Sequence, residues 1–524
     1  MQEPQPKRSA PAKRKRVRRK VTRRRQSVEP VVIEVAPDVD VEEPLIEKIR
    51  REVMRGGPGA LVSFCVHVVI LLVLGLIAAG VQNTNPDFTI EMGWLAPDAL
   101  KGEDTGARPV RIAPISLDSP NKPKPIPKPI TEEPGGQEKP EEGIVPAPPV
   151  KPVEVKKSLD TRSERMRIGL LNEVASDNKV EKAISSGLLW LARQQQSSGN
   201  WKIHEGYPDA GYRTARTDSG ATALALLALL GNGNTHQSGT HRDVVRQGLK
   251  WLRNTQQGDG NLYDRNELGK RETYYTHCMG AIALCEAYAM TGDQDLLESA
   301  ELAIQFILES QHPSKGGWKY RKQTEKTNGD LSVTGWALMA LHSARMANIS
   351  VPDESFDRAS IFLDSVSVLN GSRYKYAPED PRELITEAMT AEGLLCRQWL
   401  GWPRKNPFMH SGVNYITKEE FAPEWSSGRR NVYFWYYATQ TLHNIGGDKW
   451  QSWYKKVAKE IVANQTRLGS SAKGKDVRGS WHPTKPLGSN HEYANQMGRL
   501  YITAMCVLIL ETPYRHAPVY PPPE

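Results

Sequence analysis

The stretch Ala183–Trp201, AISSGLLWLARQQQSSGNW, sets the reading of this chain. Its skeleton is Gly187-x-x-Trp190-Leu191-x-x-x-Gln195-x-x-x-Gly199-x-Trp201. A second copy runs Gly248-x-x-Trp251-Leu252-x-x-x-Gln256-x-x-x-Gly260-x-Leu262. A third runs Ala303-x-x-Phe306-Ile307-x-x-x-Gln311 and closes on Gly316-x-Trp318. The aromatic anchors Trp190, Trp251, Phe306 and, in a weaker copy, Phe362 stand 61, 55 and 56 residues apart. A period of that length marks a repeat architecture and holds two helices. The first helix of each pair is amphipathic, with Ile184, Leu188 and Leu191 on one stripe. The second is apolar on nearly every side: ATALALLALL (221–230), MGAIALCEAYAM (279–290), LSVTGWALMAL (331–341). Such a helix must be buried on every side, so the pattern describes outer helices facing water and inner helices packed around a centre.

Six pairs are expected: 178–195 with 218–230, 242–256 with 274–290, 296–311 with 330–345, 355–367 with 382–400, 411–421 with 430–445, and 450–465 with 491–510. The skeleton resembles the QW motif of the prenyltransferase and squalene-cyclase repeat proteins. That resemblance covers about residues 165–515 and implies an all-α fold, an α/α toroid. It also implies that Gln195, Gln256 and Gln311, with Trp201 and Trp318, tie the end of an outer helix to the following turn. The motif is specific for fold and weak for chemistry.

Composition divides the chain further. Residues 1–59 hold 16 Lys/Arg and 9 Asp/Glu, twelve of the bases within 7–25, leaving 53 basic and 51 acidic residues for the rest. The body is no polycation, and nucleic-acid binding is not expected. Five cysteines are too few for a disulfide framework, and the four downstream of Cys65 read as small buried apolar residues. Residues 61–81, LVSFCVHVVILLVLGLIAAGV, contain no Asp, Glu, Lys or Arg and have the length of a bilayer core. Lys48, Arg50, Arg51 and Arg55 on the N-terminal side place that terminus in the cytoplasm. The expected layout is a basic cytoplasmic tail (1–59), a signal-anchor transmembrane helix (60–82), a Pro-rich extended linker (83–160), the toroid (161–515) and a Pro-rich tail (516–524). The toroid is then extracytoplasmic, periplasmic on an inner membrane. Thirteen prolines within 109–152 favour polyproline II, which reaches roughly 130 Å at about 3.1 Å per residue.

Ser63 and His67 lie one turn apart in the membrane segment, where polar groups are suspects for function. The pair and the Pro-rich linker resemble TonB-type energy transducers, and that resemblance implies a membrane motor complex as partner. Those proteins end in a small α/β domain and this chain does not.

A ring of helices exposes its centre where the inner helices begin. The residues there are Asp218 and Ser219; Tyr274, Tyr275 and His277; Asp330 and Ser332; Arg382, Thr386 and Glu387; Asn431, Tyr433 and Trp435; His491, Tyr493 and Asn495. Asp218, Asp330, His277 and Glu387 are the catalytic candidates. Tyr274, Tyr275, Arg382, Tyr433, Trp435, His491 and Tyr493 are the ligand-binding candidates. Helix capping alone explains an Asp at such a position. The Asp-x-Asp-Asp acid of squalene-type cyclases, the zinc ligands of protein prenyltransferases and the Cys–Gln thioester of complement-type toroids are all absent from 165–515. No metal or cofactor is expected. The expectation is a membrane-anchored binding or scaffolding module. An isoprenoid cyclase-like enzyme and a glycan lyase or hydrolase are the alternatives, so an isoprenoid or a glycan is the ligand in view.

Overall fold

A computed structural model describes residues 159–175, 178–263, 272–323, 327–380, 384–469 and 476–521. The tail, membrane and linker segments expected within residues 1–158, Ser63 and His67 included, lie outside the described residues, as does Arg382. Among the described residues no helix is long and apolar enough to cross a membrane.

Thirteen α-helices follow one another here: α1 Glu164–Val174, α2 Lys179–Gln194, α3 Asp218–Gly231, α4 Arg242–Thr255, α5 Glu272–Thr291, α6 Gln294–Ser310, α7 Leu331–Met346, α8 Asp353–Val366, α9 Glu387–Trp399, α10 Pro407–Ile416, α11 Val432–Ile445, α12 Gly447–Ala463 and α13 Ala494–Arg515. The odd helices from α3 onward form the inner ring. Each packs on the next, and α13 returns to pack on α3. The even helices lie outside, and α1 packs across α13, α12 and α2. The expected α/α toroid is the observed fold, with α1 added to the six pairs. The apolar runs are the cause: every residue of α3 after Asp218 is buried, as is every residue from Leu331 to Leu341 in α7.

The QW residues link successive pairs through one repeated set of bonds. Gln195 Nε2 donates to Gly199 O (2.8 Å) in its own loop and to Val244 O (2.9 Å) on the next outer helix. Gln256 does the same with Gly260 and Ser299, and Gln311 with Gly316 and Ser355. The loop glycine then meets that outer helix three residues further along. A Cβ on Gly199, Gly260 or Gly316 would lie 2.5, 2.1 or 1.7 Å from the carbonyl oxygen of Gln247, Leu302 or Arg358, and all three have positive φ. Trp201 and Trp318 donate Nε1–H to Leu191 O (2.7 Å) and Ile307 O (2.8 Å) of the outer helix they follow.

The sixth link closes the ring, and its glutamine escapes the motif spacing. Gln465 Nε2 donates to Gly479 O (2.9 Å) and to Ala183 O (2.8 Å) on α2. Gly479 abuts Ser186 O of the same helix, and Trp481 Nε1 donates to Ile461 O (2.7 Å). Pairs four and five lack the link. In pair four a short hairpin, β1 Ser367–Val368 with β2 Arg373–Tyr374, carries Tyr374 into the core, where Arg397 joins its hydroxyl to Asp364 of α8. In pair five the outer helix starts earlier than expected, at Pro407 behind an Asn406 cap. It stops at Ile416, and residues 419–421 form a 3-10 turn instead. Cys278, Cys285, Cys396 and Cys506 are free and buried, as expected.

Candidate functional site

Helix capping orders the mouth of the ring where the inner helices begin. Thr217, Asp330, Thr386 and Asn431 cap α3, α7, α9 and α11, each accepting from the backbone N–H of its third residue on. Asp218 is therefore not the cap of α3. Its Oδ2 accepts from Asn200 Nδ2 (3.2 Å), and its Oδ1, buried without a hydrogen bond, faces His204 Nδ1 at 3.8 Å. Burial raises the Asp218 pKa, against the pull of His204 and Arg216.

Two buried carboxyls and a group of tyrosines share this mouth. Asp330 Oδ1 accepts from Val333 N (2.9 Å) and from Ser332 Oγ (2.9 Å). Ser332 Oγ in turn meets Tyr275 OH at 2.5 Å, and Tyr320 OH meets Tyr376 OH at 2.6 Å. Burial lifts the Asp330 pKa to about 6, opposed by the Val333 N–H, Ser332 and Tyr376. Glu392, in α9, accepts from Tyr433 OH at 3.0 Å and rests on Gly335 of α7, where a Cβ would lie 2.1 Å from its Oε1. Burial drives its pKa well above the ordinary value, with Tyr437 and Tyr433 opposing and Asp330 adding to the rise. Burial thus holds both acids above the ordinary carboxylate range, Asp330 at about 6 and Glu392 well above its usual value.

Behind this layer aromatic side chains of α7 and α11 stack on one another. Trp336 stacks on Tyr436 (centroids 5.7 Å, 14° between planes), Tyr436 meets Tyr437 edge-on at 5.2 Å, and Tyr436 OH points to Met339 Sδ at 3.4 Å.

Several expected site residues lie elsewhere. His277 is structural: Nδ1 accepts from Leu262 N (3.1 Å) and Nε2 donates to Ala303 O (3.0 Å). It occupies the place held by Thr222, Thr334, Thr390 and Thr503, each of which accepts a backbone N–H from its own loop. Burial lowers its pKa to about 4, so it stays neutral. Tyr274 turns outward onto Phe306 of α6 (6.0 Å), and Trp435, fully buried, packs against Trp425 (6.1 Å). Neither meets the mouth, because each points between inner and outer helices. His491 is exposed in the turn before α13, and Glu387 accepts from Asn431 Nδ2 (3.1 Å). Tyr275 and Tyr433 sit in the mouth. Tyr493, half exposed at φ 62°, meets Tyr433 edge-on at 6.3 Å. Glu392, Tyr320 and Tyr376 did not stand out in the sequence. The available signal for Glu392 was an acid inside an otherwise fully buried helix.

Asp330→Asn tests the acid pair. An aspartate of ordinary pKa 3.8 rises to about 6 on folding. Its stabilising contribution is complete below the lower value and is lost as pH rises through the higher one. Asn still caps the helix. The variant should match the parent at pH 4 and exceed it at pH 8 by up to about 3 kcal/mol. Denaturant melts at the two pH values check this, and an equal difference at both would refute the raised pKa.

The model of the squalene-hopene cyclase C-terminal domain matches residues 165–273, from α1 to the start of α5. No curated protein matches the chain. Solved structures that resemble it include an inactive α-1,6-mannanase variant of Salegentibacter sp. HEL1_6 in complex with α-1,6-mannotriose (12% identity, TM-score 0.44, 64% of this chain and 99% of that one). Others are the cellobiose 2-epimerase of Spirochaeta thermophila (12%, 0.44, 68% and 98%) and a type II terpene cyclase variant from Scytonema in complex with geranylgeranyl dihydroxybenzoate (13%, 0.40, 64% and 98%). Similarity at this level transfers neither ligand nor chemistry. The helices close into an α/α toroid, and its first part, residues 165–273, is similar to the squalene-hopene cyclase C-terminal domain.

Proposed function

We propose that this chain is a membrane-anchored, extracytoplasmic binding module whose mouth takes a hydroxyl-rich ligand of the glycan class. The observation that carries the reading is the cluster of Tyr275, Tyr320, Tyr376 and Tyr433 around the Asp330 and Glu392 carboxyls. Tyrosines offer flat apolar faces with hydroxyl handles, which suits sugar rings. The stack of Trp336 on Tyr436 weighs against an isoprenoid drawn deep into the ring. Residues 61–81 supply the anchor, and Ser63 and His67 its contact with partner helices in the membrane.

A second reading rests on the two buried carboxyls that share the mouth, both held above the ordinary range: a glycan hydrolase with Glu392 as acid and Asp330 as base. Mass spectrometry of full-length protein exposed to cell-wall glycan and total lipid extracts separates the readings. Binding predicts an intact retained glycan, held roughly tenfold more weakly by Tyr433→Phe, which loses one hydroxyl bond network. Shortened glycans that vanish with Glu392→Gln would favour the hydrolase. A retained or cyclised isoprenoid would sink both.

A further inference from the structure

The opposite end of the ring, where the inner helices finish, encloses a cavity of about 40 Å3 among α7, α9, α11, α13 and the chain's tail. Its walls are mostly apolar, and its polar lining includes His342, Ser343, His443, Arg515 and His516. Both ends of the described chain converge here. Before α1, Arg162 donates Nε–H to Arg515 O (2.7 Å). After α13 the tail crosses the cavity and is pinned by Val519 N to Asn444 Oδ1 (3.0 Å) and by Tyr520 OH to Trp402 O.

Several groups around the cavity have hydrogen-bonding capacity that no partner uses. Among the described residues neither the His342 ring, the His443 ring nor the Ser343 hydroxyl forms a hydrogen bond. His516 Nδ1 and the nearby Arg162 Nη2 are buried without a hydrogen-bond partner. A cluster of buried charges lies beside these groups. Arg162 and Arg515 share Glu286, at 2.9 and 3.0 Å. The second acid, Glu511, is buried, accepts no hydrogen bond on either oxygen and stands 3.7 Å from Arg515 Nη1. Burial drives its pKa well above the ordinary value, against the pull of Arg515 and Arg162. Both guanidiniums thus hydrogen-bond the one carboxylate of Glu286, and Arg162 Nη2 is left without a partner. The negative helix ends nearby are already engaged: Leu227 O, Leu230 O and Asn444 O accept from Arg515, Arg162 and Arg404.

We propose that this cavity binds a small monovalent anion, of halide or formate size, held by His443, His516 and Ser343 behind the tail. A space of about 40 Å3 takes two or three water-sized atoms. Such an ion would complement the Arg515 guanidinium in the lining and accept hydrogen bonds from the unpartnered groups around it.

The histidines link binding to pH. Burial keeps His342 and His443 near 4, with Arg345 also lowering His342. Burial, Arg162, Arg515 and the other two histidines hold His516 well below its ordinary value, although Glu286 stands 3.6 Å away. Depressed histidines cost stability as pH falls below about 6.5. An anion favours their protonated forms, so it should bind more tightly at pH 5.5 than at pH 8.

Thermal melts of full-length protein in bromide, formate or gluconate at matched ionic strength test this. Bromide and formate should raise Tm along a saturating curve, more at the lower pH, and gluconate, too large for the cavity, should not. His443→Gln and Ser343→Ala should each weaken the bromide Kd by about five- to tenfold. Bromide-soaked crystals should show anomalous density between His443 and His516. Equal responses to the three salts, unchanged affinity in both variants, or no density in the cavity would each overturn the proposal. The salt series and the crystals decide even if a variant fails to fold.

Discussion

Glu286→Ala should lower the unfolding free energy by about 3–5 kcal/mol, the usual cost of stripping one partner from a buried ion pair. Glu286 lies inside α5 with its side chain 1% exposed, between Arg162 Nη1 and Arg515 Nη2. Removing it leaves two guanidiniums buried with no carboxylate between them. Despite complete burial the two arginines keep the Glu286 pKa below its ordinary value. That sets the sign of the pH dependence: the contribution is present above the ordinary carboxylate pKa of 4.5 and is lost as pH falls below it. The Glu286→Ala defect should therefore be largest near neutrality and shrink in acid. Guanidinium melts at neutral and acid pH measure it. A loss under about 1 kcal/mol at neutral pH would mean that water reaches the cluster and that the pair is no tighter than a surface one.

Gly479→Ala should cost about 3–5 kcal/mol, near the upper end for a single substitution. Gly479 has φ 89°, which an L side chain adopts only with strain, and a Cβ there would stand 2.1 Å from Ser186 O. The obstacle is backbone of α2, which cannot swing aside as a flexible side chain can. Pushing the loop away also separates Gln465 from Ala183 O, and that bond joins the last pair to the first. Gly428→Ala is the control. Its φ is 75° but nothing lies within 4 Å of the added atom. It should cost only the left-handed backbone term of about 1–2 kcal/mol. Comparable midpoints for the two variants would show that the seam is not held by this close approach.

The sequence made the helices legible because burial leaves a periodic trace. The inner helices were found to within a few residues from their all-round apolarity, and three of the Gln links from fixed spacing within a short loop. The closing link escaped because the loop after Gln465 is long: fourteen residues separate Gln465 from Gly479, where the other copies use four or five. Spacing along the chain then no longer reports distance in space. His277 shows the converse limit. A histidine at the start of an inner helix suggests chemistry until four threonines are seen in the equivalent bond. The bond depends on a loop and a helix meeting, which no local pattern records.

Glu286 and Glu392 carry the same lesson with more consequence. Each is an acid buried inside an inner helix, and their surroundings shift them in opposite directions. Two guanidiniums, brought from residues 162 and 515, keep Glu286 charged. Burial, against the bare face of Gly335, pushes the Glu392 pKa well above its ordinary value although two tyrosines oppose it. Periodic apolarity and the repeated Gly, Gln and Trp positions were enough to dictate a ring of paired helices, since hydrophobic burial follows local pattern. The protonation states, the tyrosine mouth and the cavity behind the tail arise where distant segments converge. Electrostatics there depends on distance and on exclusion of water, and both are properties of the closed ring.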